Sequence, residues 1–436
     1  MRANYTHSFF CGHLFIDVDK IDALKEQGEW RDKRVSYEEH QQYCNIFYEG
    51  FADSILPVNG HISNDIYGQL THLTLPIGKR ITIATSLNSS TDSDSAPFTF
   101  EVMNIHLFRF PFDVVLFSIE IQTDDVDLND LTLIHSKLRN INYYHIDKAI
   151  GESGFLDVIK PLLNLCGTDS SGVTNYTNLE YTGNKLKIFQ VIHSDALSDS
   201  TLYEVGTLSP IGSVADHSNI NSPSDDYFEA AIQRHKISVF RNWSAITLFD
   251  TTTILRLGPK PNPNQFDQWS SSYFRVVYLH CFYQKTLLFG INKQFRASSV
   301  NRKRISKLVE TMKEQEYYYA FSNISYNFLP QIIYDKMLQA FDVASERKQL
   351  KYYLDQEESK QREASNDTLN IVLTFIALLS IFSTLYDVTS LVKDTFDMET
   401  GSAPHQMVVF YMGGGILLFI VLFLLSKLRH KIWDRR

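Results

Sequence analysis

The sequence lacks most of the features that mark an enzyme, a secreted domain or a nucleic-acid binder. It has four cysteines in 436 residues, and Cys11, Cys44, Cys166 and Cys281 stand apart with no Cys-x-x-Cys pair. Such spacing suits a reducing compartment and argues against a disulfide framework or a zinc ribbon. There is no His-Glu-x-x-His helix, nucleophile elbow or dinucleotide fingerprint, so nothing supports an enzymatic activity. Gly167–Thr174 has the glycine and threonine spacing of a phosphate-binding loop, but Val173 stands where its lysine should be. Without that cation an ordinary polar turn is the better reading. A positive excess is missing too: the formal charge is −9, so no nucleic-acid partner is expected. Met1–Lys20 has no long apolar run of the kind found in a cleaved signal peptide.

Charge itself is missing from two stretches near the C-terminus. Leu369–Tyr386 reads LNIVLTFIALLSIFSTLY, and Met407–Leu425 reads MVVFYMGGGILLFIVLFLL. A hydrocarbon core of ~30 Å needs roughly 20 apolar residues in a helix, so both are long enough to span a bilayer. The tail beyond them carries Lys427, Arg429, Lys431, Arg435 and Arg436 against Asp434, while the connecting loop is acidic. The positive-inside bias therefore expects a multi-pass protein of the inner (plasma) membrane with both termini cytoplasmic. On a cytoplasmic domain the Asn-x-Ser/Thr sequences at Asn4, Asn88, Asn175, Asn242, Asn323 and Asn366 have no role.

What precedes these spans reads as a mixed α and β domain over 1–300. Strands are expected at Ser8–Val18, Arg80–Leu87, Thr99–Arg109, Asp113–Gln122, Leu186–His193 and within Ile237–Leu257. Leu131–Asn140 repeats its apolar residues at helical spacing. Asn88–Pro97 and Ser194–Asp226 are polar; the second reads as an insertion that is mobile or ordered only by a partner. Tyr273–Arg296 and Asn301–Tyr319 are expected helices. From Pro330 no glycine or proline interrupts the chain as far as Tyr386, with a stripe of Ile333, Met337, Ala340, Phe341, Ala344 and Leu354. That pattern predicts one unbroken helix, a stalk over 301–367 leading into a two-helix transmembrane domain (368–426) and a basic tail (427–436). The fold class is α+β with a long stalk helix and two C-terminal transmembrane helices.

Within the first apolar segment Asn370, Thr374, Ala377, Ile381 and Thr384 fall in a sector of about 80° at 100° per residue, with Ser380 and Asp387 on its shoulder. Lipid cannot satisfy polar groups, so this sector faces either water in a pore or a neighbouring helix. As a pore lining it would be completed by symmetry-related copies, Asp387 forming an acidic ring that favours cations. Gly413, Gly414 and Gly415 notch the second segment and permit close helix packing. Asp124, Asp125 and Asp127 could hold a low-affinity divalent cation, or cap the helix that follows, where the dipole favours carboxylates.

This order of parts resembles the CorA family of divalent-cation channels, and LNIVLTFIALLSIFSTLYDV (Leu369–Val388) is similar in texture to that family's pore helix. The family's Gly-Met-Asn triplet after a tyrosine is absent, since Tyr386 is followed by Asp387, Val388 and Thr389. The resemblance implies a homo-oligomer, five subunits by family expectation, embedded in lipid. It also extends to the CRISPR-associated CorA type, which lacks the triplet. That type implies an antiviral effector gated by a small-molecule nucleotide messenger, an S-adenosylmethionine–AMP conjugate, at a site the sequence does not reveal. A divalent metal cation transporter and a non-conducting membrane-anchored sensor or scaffold are the alternatives.

Overall fold

The computed structural model describes all residues except 15–17, 27, 57–69, 85–96, 142–143, 145–146, 166–184, 219–221, 260–272, 298–301, 397–413 and 415–436. The chain divides into two units, Met1–Asp355 and Gln356–Arg436. The first is built on a sheet of β1 (Arg2–Leu14), β2 (Arg31–Asp32), β3 (Thr71–Ile83), β4 (Phe98–Phe110), β5 (Val114–Asp127), β6 (Lys187–Ser194), β7 (Lys236–Ile237), β8 (Trp243–Thr247) and β9 (Thr251–Leu257). Their spatial order is β2-β3-β4-β5-β1-β6-β9-β8-β7. Pairings are antiparallel except that of β6 with β9, which is parallel.

The central strands are buried on both faces, which is why their sequences run apolar rather than alternating. Successive side chains on a strand point to opposite sides, so Phe9 and Phe10 enter different cores. On one face Phe10, Leu107, Phe117 and Ile188 pack with α4 (Leu128–Leu138), α6 (Phe155–Leu165) and α7 (Asp199–Thr207). Also on that side lie α1 (Val18–Glu26) and α5 (Lys148–Glu152). On the other face Phe9, Phe110, Leu116 and Phe189 pack with α3 (Glu49–Ile55), α9 (Tyr273–Ala297), α10 (Arg302–Tyr319) and α11 (Phe328–Ala340). The short α2 (Tyr37–Cys44) and the amphipathic α8 (Asp225–His235) complete the described helices of this unit, with α12 (Val343–Phe396) starting in it.

Three expectations are corrected. Strand β1 begins at Arg2 and ends at Leu14, and Val18 opens α1 instead of closing the strand. The polar run Ser194–Asp226 contains α7, which is buried at Leu202, Tyr203, Val205 and Gly206. Ser198 starts it by accepting the Thr201 amide at 3.0 Å, so a serine that reads as loop is a helix cap. The helix expected from Pro330 to Tyr386 is broken: α11 ends at Ala340, and Asp342 takes a left-handed φ of 52° before α12 starts. The break shifts the helical phase, so Val343, Leu350 and Leu354 are buried while Ala344 of the expected stripe is exposed. Residues 301–355 belong to the first unit, where Ile305, Leu308, Ile333 and Met337 complete the core under the sheet.

Candidate functional site

One described helix is long and apolar enough to cross a membrane: the Asn366–Val388 stretch of α12, 23 residues with none buried. Leu369, Phe375 and Leu379 each expose more than half of their surface, at 57%, 65% and 59%. A continuous apolar surface of this kind marks a face that meets lipid or another chain. The helix is regular through this stretch, so the 100° repeat places Asn370, Thr374, Ala377, Ile381 and Thr384 on one side and Ser380 and Asp387 beside them. All are exposed except Thr374, which is half-buried. The Thr374 hydroxyl donates to the Asn370 carbonyl at 2.7 Å, and that of Thr384 to the Ser380 carbonyl at 2.9 Å. With their hydrogens committed to the backbone, both hydroxyls present only acceptor lone pairs outward. The second apolar segment lies outside the described residues apart from Gly414, as do Gly413, Gly415 and the loop Gly167–Thr174.

Of the acidic run, Asp127 is a helix cap. Asp127 accepts the Asn129 amide at 2.8 Å at the start of α4 and lies 3.4 Å from the N-terminal ammonium. Asp125 pairs with Arg2 at 2.8 Å, and Asp124 lies one residue earlier on β5. Among the described residues no group of three or more His, Cys, Asp or Glu side chains is arranged to hold a metal ion.

Sequence reasoning missed a polar network on the α9 face of the sheet. Tyr5, His7 and Phe9 share that face of β1, and beyond Phe9 the lining turns from apolar to polar. Glu120 of β5, 8% exposed, accepts from His7 at 2.6 Å, from His106 at 3.0 Å and from Asn104 at 2.5 Å. His106 donates through Nε2 to the carboxylate, so its Nδ1 is the acceptor for His72 at 3.0 Å or Thr74 at 3.2 Å. Burial, aided by Arg275, pulls His106 down to about 4 against the opposing pull of Glu120. Burial alone would raise the Glu120 carboxyl, but its bonds to His106 and His7 together outweigh it and hold it well below the ordinary value. Arg275, in the first turn of α9, lies over the Phe9 ring at 4.0 Å and reaches Ser118 at 3.5 Å. The network ties β1, β3, β4 and β5 together. Its members lie up to 113 residues apart, and only the period-two placement of His7 between Tyr5 and Phe9 hints at it.

Two of the cavities among the described residues of the first unit are large enough for a small ligand. One, of about 950 Å³, opens between the Phe112–Val114 turn, α9 and α10. The other, of about 530 Å³, lies among α7, α8, the β8–β9 hairpin tip and the α11–α12 break.

No family model and no curated protein matches the chain. Among solved structures it is similar to the CorA magnesium transporter from Methanocaldococcus jannaschii. That likeness covers 55% of this chain and 91% of the other at 10% identity, with a TM-score of 0.24. A score of that size does not establish a shared fold.

Proposed function

We propose that the chain is a CorA-like, homo-oligomeric membrane channel whose conducting path is lined by the Asn370–Asp387 stripe and opened by a ligand of the N-terminal unit. The observation that carries this reading is the unburied apolar stretch of α12 with its one polar sector. In lipid each unsatisfied polar group costs several kcal/mol, so the sector turns toward water or a partner helix. One subunit cannot enclose a channel; copies arranged around an axis can. Hydroxyl oxygens that only accept hydrogen bonds suit the outward-pointing hydrogens of a hydrated cation, and a ring of Asp387 carboxylates attracts it. Ala377 and Ile381 put an apolar girdle between the polar rings, where dewetting can hold the resting path shut. In this reading the second apolar segment crosses back and both termini are cytoplasmic. The missing Gly-Met-Asn triplet favours the CRISPR-linked, ligand-gated type over a magnesium transporter.

Cation efflux from liposomes holding the purified full chain tests the reading. With an opening ligand present, wild type is expected to conduct, Asn370→Leu to lower the flux about tenfold, roughly 1.4 kcal/mol of added barrier, and Asp387→Ala to weaken preference for cations over anions. Absence of flux under every ionic and ligand condition would leave a scaffold. Ligand-independent flux restricted to magnesium would remove the gated reading.

A further inference from the structure

The smaller cavity is walled by rings and cations that the rest of the fold leaves underused. Arg139 ends α4, is 7% exposed, and lines the cavity; its Nε has no hydrogen-bond partner among the described residues. A buried guanidinium N–H without an acceptor is unfavourable, and a bound anion would relieve it. Asp250, at the tip of the β8–β9 hairpin, does not neutralise the region, because it serves two cations: Lys187 at 2.6 Å and Arg139 at 2.7 Å. Arg234 of α8 also lines the cavity, is exposed, and makes no ion pair among the described residues. Arg139, which shares Asp250 with Lys187, and the unpaired Arg234 therefore border the same space, with the Asp342 carboxylate also on its wall.

Three aromatic rings contribute to the remaining wall. Tyr203 of α7, Tyr227 of α8 and Phe249 of the hairpin tip line the cavity, Tyr227 with 62% of its surface open. Phe249 already receives the Lys187 ammonium at 3.7 Å from its ring centre. Gly206 allows the close approach of α7 to β8: a Cβ there would lie 2.6 Å from Ile246 Cγ2. A volume of about 530 Å³ lies within the roughly 300–1,000 Å³ of small-molecule sites. Asp342, the left-handed residue that breaks α11 from α12, closes one side with a carboxylate able to accept a ligand hydroxyl or amino hydrogen.

We propose that this cavity binds an aromatic anion of the aryl-phosphate or nucleotide class, its phosphate on Arg139 and Arg234 and its ring between Tyr227 and Phe249. Because the site includes Asp342, occupancy bears on the break that precedes α12; that second step rests on the gated-channel reading, whereas the binding does not. Titration calorimetry on the detergent-solubilised full chain tests the binding, with adenosine 5′-monophosphate, 4-nitrophenyl phosphate, adenosine and inorganic phosphate as probes. Adenosine 5′-monophosphate and 4-nitrophenyl phosphate are both expected to bind, and adenosine and phosphate each at least about tenfold more weakly. Arg234→Ala and Tyr227→Ala, both at exposed positions and so leaving the melting temperature unchanged, are each expected to weaken the monophosphate about tenfold. No binding of either organic phosphate, inorganic phosphate binding as tightly as they do, or affinity unaltered in both variants would overturn the site. Efflux on the same preparations keeps the two ideas apart: binding that leaves flux unchanged sustains the site and overturns its gating role.

Discussion

A chain carrying Glu120→Ala is expected to lose about 3–5 kcal/mol of stability in the N-terminal unit, read from the urea midpoint of its near-ultraviolet circular dichroism. The carboxylate is 8% exposed and accepts from His7, His106 and Asn104 at once, so its removal strands two buried donors, His7 and His106, and the half-buried Asn104. Arg275, over the neighbouring Phe9 ring, loses the carboxylate that favours its charge. Glu120→Gln keeps the shape and one acceptor oxygen, and is expected to lose about 1–3 kcal/mol. An alanine variant within about 1 kcal/mol of wild type would mean that water replaces the carboxylate at no penalty, and that the network does not hold the strands.

Acidification is expected to destabilise the same unit from about pH 6.5 downward, starting above the ordinary carboxylate range. Burial pulls His106 and His135 down to about 4, and His13 and His280 down to about 3; Arg275, Lys293 and Arg347 add to it at His106, His13 and His280 respectively. In the unfolded chain the same rings titrate near 6.5. Between about pH 6.5 and pH 4 the unfolded state therefore binds more protons than the folded state, so stability rises with pH and is lost as pH falls through that window. Each group contributes about 1.4 kcal/mol per pH unit across that window, up to about 3 kcal/mol at pH 4. Urea midpoints at pH 7.5, 6.5, 5.5 and 4.5 check the slope. His135→Asn, which removes one ring bonded to Gln190 at 2.8 Å, is expected to flatten it. Equal midpoints from pH 6.5 to pH 4.5 would contradict the burial of neutral imidazoles.

The sequence is most legible where one periodicity persists. Strands β4, β5 and β6 and helices α9 and α10 lie within a few residues of their expected bounds, because long apolar runs between turn residues admit few alternatives. The apolar stretch of α12 is legible for the same reason. The α11–α12 break is not, since Phe341 and Asp342 carry no glycine or proline signal. Tertiary contacts set it: Phe341 is buried against Tyr278 and Phe282, and the Lys285–Glu346 ion pair fastens the first turn of α12. Helix α7 was hidden because its apolar residues are few and sit in a serine- and aspartate-rich run. The Glu120 network was hidden because its residues come from four strands and meet only once β1, β3, β4 and β5 pair.

The stripe on α12 can be probed at single positions. Cysteines placed one at a time at Asn370, Thr374, Ala377 and Thr384, and on the opposite side at Val372, Phe375 and Leu379, can be treated with a membrane-impermeant thiol reagent during cation efflux from liposomes. Wild type serves as the control for Cys44 and Cys166, while Cys11 and Cys281 are buried. The channel account expects modification at the four stripe positions to block efflux and the three opposite positions to be unreactive. Equal reactivity on both sides, or reaction on the stripe with no change in efflux, would contradict it.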